Sequence, residues 1–400
     1  MNGVINIYKE KGYSSFHAVY VIRKLTGEKK VGHTGTLDPD VTGVLPICIG
    51  KATKLVGQLT DTDKTYRCRM MFGKYTDTQD MSGQVLEEIS DDEVRSRLQA
   101  LAREPQQNDR GDIHDRIADS LGASGSNGIY SEVNPLLEQN GSKTAACSLG
   151  KIDRADAYSE ADYFRLDNTD RMCAENSDLE DTSKIIIESM KRVIIDSILS
   201  FEGEIMQLPP MYSALKVDGV KLVNAARKGV EIAREKRAVT IYRIYDISVS
   251  DDLIFADFTV HCSKGTYVRT LCEDIGRRLN IPACMYSLER ICASGLDLST
   301  AITLDQAAEY AAAGTLEDHM IPADTFLEIY DSAVVKNDSV RKLVYGNYMY
   351  RDDITDAAFM NTAADGQIYR IYDEAGEFYA LYKYSGRDDC LKCVKMFRDI

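Results

Sequence analysis

The chain has no run approaching the ~18 consecutive apolar residues that a bilayer-spanning helix needs. Its start, MNGVINIYKEKG, lacks a cationic segment leading into a long apolar stretch, so no export signal is expected and a cytoplasmic location is. Histidine is scarce: the five residues are scattered, and none forms an HxxxH pair. Cysteine, at ten in 400 residues, is too sparse for a disulfide scaffold. Cys48, Cys68, Cys262 and Cys272 sit inside apolar strings and read as small buried thiols. Cys390 and Cys393 form a lone CxxC, and without a second pair or a His pair no metal is expected there. TDTQDMSG (76–83) carries Asp77 and Asp80 but neither the spacing nor the closing glutamate of a calcium loop. There is no GxGxxG string, P-loop, internal repeat or heptad pattern.

Positive charge is also short. The formal net charge is −15, whereas phosphate contacts call for a basic surface. The deficit is uneven: residues 1–103 carry +2, 104–183 carry −10, 184–312 carry −1 and 313–400 carry −6. Acidity therefore counts against a nucleic-acid partner for the chain as a whole, and much less for its first hundred residues.

What is present is ordinary globular material, 44% hydrophobic and 28% charged, in a length that suggests two or three domains. Gly3 to Tyr8 reads as a strand. Ser14 or Ser15 can cap a helix to about Leu25 with Gly27 as its stop, and Phe16, Val19 and Ile22 at helical spacing place that aromatic in the core. A strand is expected over Val44–Ile49 and a helix over Ala52–Leu59. Lys64–Phe72 alternates Tyr66, Cys68, Met70 and Phe72 against Arg67 and Arg69, which is a strand. Ser90 to Glu93 forms a capping box for a helix carrying Val94, Leu98 and Leu101.

Residues 104–183 lose all periodicity and read as an acidic, partly disordered surface insertion. A helix resumes over Ile185–Leu199, and two long strands, Ala238–Val249 and Ile254–Cys262, suggest an antiparallel pair. From about Ile321 short strands are expected over Lys342–Tyr350, Gln367–Tyr372, Glu377–Tyr384 and Cys390–Phe397, with a hairpin turn at Asp373–Gly376.

The most informative stretch is VGHTGTLDPDVTGVLPICIGKATK, Val31 to Lys54. Four glycines and two prolines surround Asp38, which directly precedes Pro39, so the backbone there is narrowly specified and the carboxylate held in one orientation. Over more than twenty nearly continuous residues this string resembles the catalytic motif of the TruB family, the bacterial tRNA pseudouridine synthases. Lys9, Gly12 and Ser15 match an earlier family motif in which Glu10 here replaces a proline. The Lys64-x-Tyr66 pair, Pro209-Pro210-Met211-Tyr212-Ser213-Ala214, and Gly265-Thr266-Tyr267-Val268-Arg269 running to Gly276 match further ones. Leu288-Glu289-Arg290 corresponds to a Leu-Arg-Arg segment, with Glu289 in place of its first arginine.

The resemblance spans about 1–90 and 185–295, half of the chain, and implies an α/β (α+β) pseudouridine synthase fold. That fold has a mostly antiparallel central sheet in a catalytic domain formed by 1–103 and 184–312, followed by a small β-barrel-like (PUA-like) RNA-binding domain over 320–400. It implies isomerisation of a uridine in the T-loop of tRNA, position 55, by a monomer with no obligatory protein partner. Asp38 would be the nucleophile, Arg269 its partner and orienter, and Tyr66 a stacking platform and final base. Tyr267 and Leu288 would line the pocket of the flipped nucleotide, and His33 would stack against the RNA or fill the vacated space. The reaction breaks an N1–C1′ bond and rejoins the base through C5, with no redox step and no imported group, so no cofactor is expected. Two other classes fit less of the pattern. A non-catalytic RNA-binding or RNA-folding protein with the same fold has no need of Asp38, Tyr66 and Arg269 together. A carboxylate hydrolase of nucleosides or glycans canonically uses two acids, and Asp40 is too close to Asp38 to be the second.

Overall fold

A computed structural model describes residues 1–103, 177–213, 215–217 and 219–398. The insertion expected at 104–183 lies, through residue 176, outside the described residues. Two compact units emerge, one from 1–64 with 289–398 and one from 65–103 with 177–288. No described helix is long and apolar enough to cross a membrane.

The first unit begins with strand β1 (Gly3–Lys9), buried along nearly its whole length. Helix α1 (Ser15–Thr26) starts where Ser14 Oγ accepts the His17 N–H at 3.1 Å and stops at Gly27, whose φ of 67° suits glycine. Its inner face is Ser15, Ala18, Val19 and Ile22. Phe16, expected in the core, is 71% exposed. Val19 and Ile22 are buried as expected, but polar Ser15 takes the core position at the start of the helix in place of Phe16, stabilised by two hydrogen bonds to the backbone of Leu37. Strands β2 (Val31–His33) and β3 (Thr42–Ile49) follow, each of β1 and β2 pairing antiparallel with β3. The helix expected at Ala52–Leu59 is a 3₁₀ segment, Gly50–Leu55, continuing into the α-helical turn Val56–Thr60.

In the second unit, β4 (Lys64–Phe72) alternates as anticipated, with Cys68, Met70 and Phe72 inside and Arg67 and Arg69 outside. The short strands β5 (Lys74–Thr76) and β6 (Val85–Glu88) flank the TDTQDMSG turn. Helix α2 (Asp91–Arg103) is capped by Ser90, whose Oγ accepts the Glu93 N–H at 3.2 Å. Helix α3 (Ser177–Leu199) begins ahead of the expected Ile185. Strands β7 (Gly203–Gln207), β8 (Arg237–Val249) and β9 (Phe255–Cys262) lie beside β4 in the order β4-β9-β8-β7, and β8 is antiparallel to both its neighbours. Helix α4 (Val268–Arg278) leads to β10 (Ala283–Ala293). The residues of β10 through Leu288 belong to the second unit and those from Glu289 to the first, where Glu289 and Arg290 pair in parallel with Thr42 and Gly43. The central sheet is therefore mixed and mostly antiparallel.

Helix α5 (Leu304–Ala313), opened by a Thr303–Gln306 capping box, packs on α1. The C-terminal strands β11 (Asp331–Val335), β12 (Met349–Tyr350), β13 (Ile368–Asp373), β14 (Phe378–Ser385) and β15 (Cys390–Met396) form a sheet in the order β11-β13-β14-β15-β12. Lys342–Tyr350, expected as one strand, is instead a helical turn, Val340–Val344, then Gly346 at φ 70°, then β12. Of Arg341, Lys342 and Leu343 only the leucine faces the core, so the run lacks the alternating inner face of a strand. The Asp373–Gly376 hairpin forms as expected, with the Gly376 N–H on Asp373 O at 3.1 Å. Val4, Cys48, Ala52 and Leu55 share one apolar cluster with Leu327, Leu381 and Phe397, which joins the first strands to the C-terminal sheet.

Candidate active site

Asp38 sits in the loop between β2 and β3, and nearly every residue around it is fixed by a buried group. Leu37 is 4% exposed and acts as the plug. Its N–H donates to Ser15 Oγ at 2.8 Å, and Ser15 Oγ donates back to Leu37 O at 3.0 Å. On the other side of Asp38, Pro39 O accepts from the Gly12 N–H at 2.8 Å and from Lys9 Nζ at 3.1 Å. The Val41 N–H closes the turn onto Asp38 O at 3.1 Å. The Lys9/Gly12/Ser15 motif and the Asp38 motif are thus two halves of one backbone clamp.

Lys9 is fully buried, and its ammonium also donates to Tyr13 O at 2.7 Å and Glu10 O at 3.0 Å. Burial pulls its pKa down to about 8, with Arg290 acting in the same sense and Asp40 and Asp38 opposing. The folded state therefore releases this proton about two and a half units earlier than the ordinary 10.5, so the unfolded chain binds more protons between those values and stability rises with pH across that window. From pH 7.5 to 9.5, the wild type should gain about 2 kcal/mol of unfolding free energy relative to Lys9→Met. Urea titrations at the two values check this; a constant difference between the two proteins would contradict it.

Arg290, 1% exposed, lies beneath the same loop. Its Nε donates to Val44 O at 2.7 Å and its terminal nitrogen to Gly35 O at 3.2 Å. A Cβ on Gly35 would stand 3.2 Å from that guanidinium, so the glycine lets the arginine reach the loop. His33 is half-buried and accepts the Gly35 N–H on Nδ1 at 3.3 Å, which leaves its proton on Nε2. Burial, and then the charge of Arg290, lowers its pKa, so it is a neutral imidazole at pH 7. Glu289, which stands where an arginine was expected, accepts the Tyr8 hydroxyl at 2.9 Å.

The second unit holds the other predicted residues. Tyr66 is half-buried on the inner face of β4, in line with Cys68 and Met70. Tyr267 is the N-cap of α4, and the amide of buried Gln207 grips its backbone at both ends, accepting its N–H at 2.8 Å and donating to its carbonyl at 3.0 Å. Arg269, 6% exposed on the first turn of α4, is locked by three acceptors. These are Thr78 O at 3.1 Å, Asp80 Oδ2 at 3.4 Å and Tyr212 O at 2.8 Å. Asp80 is itself fixed by Thr78 Oγ1 at 2.7 Å and the Ser82 N–H at 3.0 Å. Gln79, at φ 64°, anchors the turn through Thr270 Oγ1 at 2.9 Å and through Glu273. The TDTQDMSG turn is thus an arginine seat. Leu288 is half-buried on β10.

Asp38 and His33 therefore share one loop in the first unit, and Tyr66, Tyr267, Arg269 and Leu288 lie in the second. Sequence reasoning missed Arg290, Asp80 and Gln207 as supporting residues. Lys9 was visible only as a motif letter, and Ser15 as a motif letter and an alternative to Ser14 for the helix cap. The signal for Asp80 was its place in a turn with no other use.

A family model for the TruB family pseudouridylate synthase (N terminal domain) matches residues 23–109 and 167–268. The tRNA pseudouridine synthase B of Clostridium acetobutylicum is 32% identical over 396 residues, covering 99% of each chain. That of Alkaliphilus oremlandii is 33% identical over 398 residues, covering 100% of this chain and 98% of its own. Among solved structures, a chain of a Cbf5-Nop10-Gar1 complex superposes with a TM-score of 0.52 at 20% identity, over 99% of this chain and 85% of its own. A chain of an H/ACA RNP bound to a substrate RNA containing 2′-deoxyuridine does so with a TM-score of 0.51 at 18% identity, with the same coverages. The two superpositions show a shared fold.

Proposed function

The chain belongs to the TruB family of pseudouridylate synthases, and on that premise we propose that its target is the T-loop uridine at position 55 of tRNA and that Asp38 is the nucleophile. It is an isomerase of tRNA uridine; a purely RNA-folding role is not favoured. The observation that carries the reading of Asp38 is its loop, on which Lys9, Ser15 and Arg290 all spend buried hydrogen bonds to fix one short stretch of backbone. A binding protein gains nothing from fixing the backbone on both sides of one aspartate so closely.

In this reading the T-loop uridine leaves its stack, at a cost of about a few kcal/mol, and enters a pocket formed by Tyr66, Tyr267 and Leu288, with His33 against the RNA. Asp38 attacks, the N1–C1′ bond breaks, and the detached uracil turns to present C5. The C5–C1′ bond then forms and the bond to Asp38 breaks, restoring its carboxylate; Tyr66 passes the C5 proton to solvent and N1 takes up one proton in exchange, so atoms and charge balance. Arg269 pairs with the Asp38 carboxylate through a planar fork that lysine does not reproduce. Residues 1–103 and 184–312 serve as the catalytic domain and 320–400 as the RNA-binding domain, in a cytoplasmic monomer.

Because C5 loses its hydrogen, tRNA transcribed with 5-tritiated uridine should release tritium to water on incubation with the protein alone. Retention of all label by a folded, tRNA-binding protein would contradict the reading. Asp80 acts through Arg269 as a positioning residue. Asp80→Asn should therefore lower kcat by about 10²-fold with KM unchanged, as a small misplacement of an orienting group does. An equal rise in KM would assign Asp80 to substrate binding instead.

A further inference from the structure

The outward face of α1 and the turn leading into it hold three large rings in water: Phe16 is 71% exposed, Tyr20 51% and, just ahead of the helix, Tyr13 42%. The fold does not use them, since α1 packs through Ser15, Ala18, Val19 and Ile22. Their surroundings are cationic. From Lys9 to Lys30 the chain has six Lys or Arg against two Glu, a net of +4 in a protein of net −15. Of these cations, Lys11, Arg23, Lys24, Lys29 and Lys30 are exposed. The rings are already ordered: Tyr13 stacks on His17 at 4.8 Å with planes 8° apart, and Lys24 Nζ lies 6.0 Å from the Tyr20 centroid.

One exposed aromatic residue is ordinary. Three within eight positions, flanked by Lys11 on one side and Arg23 and Lys24 on the other, offer the two things an unpaired nucleotide needs, a flat apolar face for the base and positive charge for the phosphate. The helix that carries this face is also anchored to the candidate site within the same unit, because Ser15, its first residue, is bonded on the inner side to Leu37 beside Asp38. We propose that the outward face of α1 is an RNA-docking surface on which unpaired nucleotides of the substrate stack against Phe16 and Tyr20 while Arg23 and Lys24 hold the adjoining phosphates. The proposal rests on tRNA being the substrate. It also answers the charge deficit, since this stretch supplies locally the positive surface that the whole chain lacks.

The sequence contains no tryptophan, so Phe16→Trp places a sole reporter on this face. Unmodified tRNA transcript should quench its emission along the same curve as binding. Ile185→Trp, replacing a 57%-exposed residue of α3, should keep its emission. Phe16→Ala should raise KM for tRNA about tenfold, the size of one lost base stack, with kcat and Tm unchanged. Arg23→Gln with Lys24→Gln should reduce the salt slope of binding by roughly 1.4. Unchanged Phe16→Trp emission at saturating tRNA, or a wild-type KM in Phe16→Ala, overturns the proposal. A drop in Tm with KM unchanged also does so, by giving Phe16 to a segment of this chain. The two readings fail separately. Wild-type turnover without quenching removes only the docking surface, and quenching without turnover leaves the surface in place and removes the isomerase reading of the site.

Discussion

Asp38→Asn is expected to lower the rate of pseudouridine formation by about 10⁴-fold or more while leaving tRNA affinity within about twofold of the wild type. The size follows from the chemistry. An amide of the same shape cannot supply the anionic oxygen that bonds to the intermediate, and Asp40, the other acid of the motif, is too close along the loop to stand in for it. Retained affinity follows from the construction of the loop. Its fixed points are the backbone of Leu37 and Pro39 O, held by Ser15, Lys9 and Gly12, and none of these bonds uses the Asp38 side chain. Single-turnover tritium release and filter binding on the same preparation separate the two effects. A variant that releases tritium at the wild-type rate would remove Asp38 from the chemistry, and one that has lost tRNA binding would make it a recognition residue.

Gly43→Ala should be the most damaging single-methyl change in the first unit, destabilising it by about 4 kcal/mol or more. Gly43 has φ of 106°, which a side chain disfavours, and a Cβ there would stand 2.2 Å from Arg290 O and 2.8 Å from Arg290 N. Those atoms are backbone in the parallel pairing of β10 with β3, so no rotamer change relieves the overlap. Moving the strands apart also pulls the Arg290 guanidinium from Val44 O and Gly35 O, and a buried charge deprived of its partners costs about 3–5 kcal/mol. Urea unfolding should show a large fall in midpoint, and tRNA turnover should fall with the folded fraction. A wild-type midpoint would mean that the strands do not approach this closely.

What could be read in advance divides along a physical line. Local rules placed most elements: the Ser14 and Ser90 caps, the Gly27 stop, the alternation of β4 and the Asp373–Gly376 turn each depend on a few neighbouring residues. They failed where a distant partner decided the outcome. Phe16 was assigned to the core because apolar spacing was the only visible guide, whereas Ser15 took the buried position through Leu37, 22 positions away. Over Lys342–Tyr350 only Leu343 and Met349 are buried, the first in a helical turn and the second in β12 with Gly346 between them, which no local alternation reveals. At the site, the motif letters Lys9, Gly12, Ser15, Gly35 and Gly43 carried no visible reason for their types. The structure supplies one for each: three backbone carbonyls for the lysine, a turn and a shared hydroxyl for the next two, and room for Arg290 around the glycines. Arg290 was visible in advance only as the last letter of the Leu288–Arg290 segment, and its buried role was hidden because an arginine in a strand normally points to water.

The most direct test of the account is pseudouridine mapping on an unmodified tRNA transcript incubated with purified wild type and, in parallel, with Asp38→Asn. The account predicts one new pseudouridine, in the T-loop at position 55, made by the wild type and missing with the variant. Pseudouridine at another position would contradict the proposed target, and equal product from both proteins would contradict the role given to Asp38.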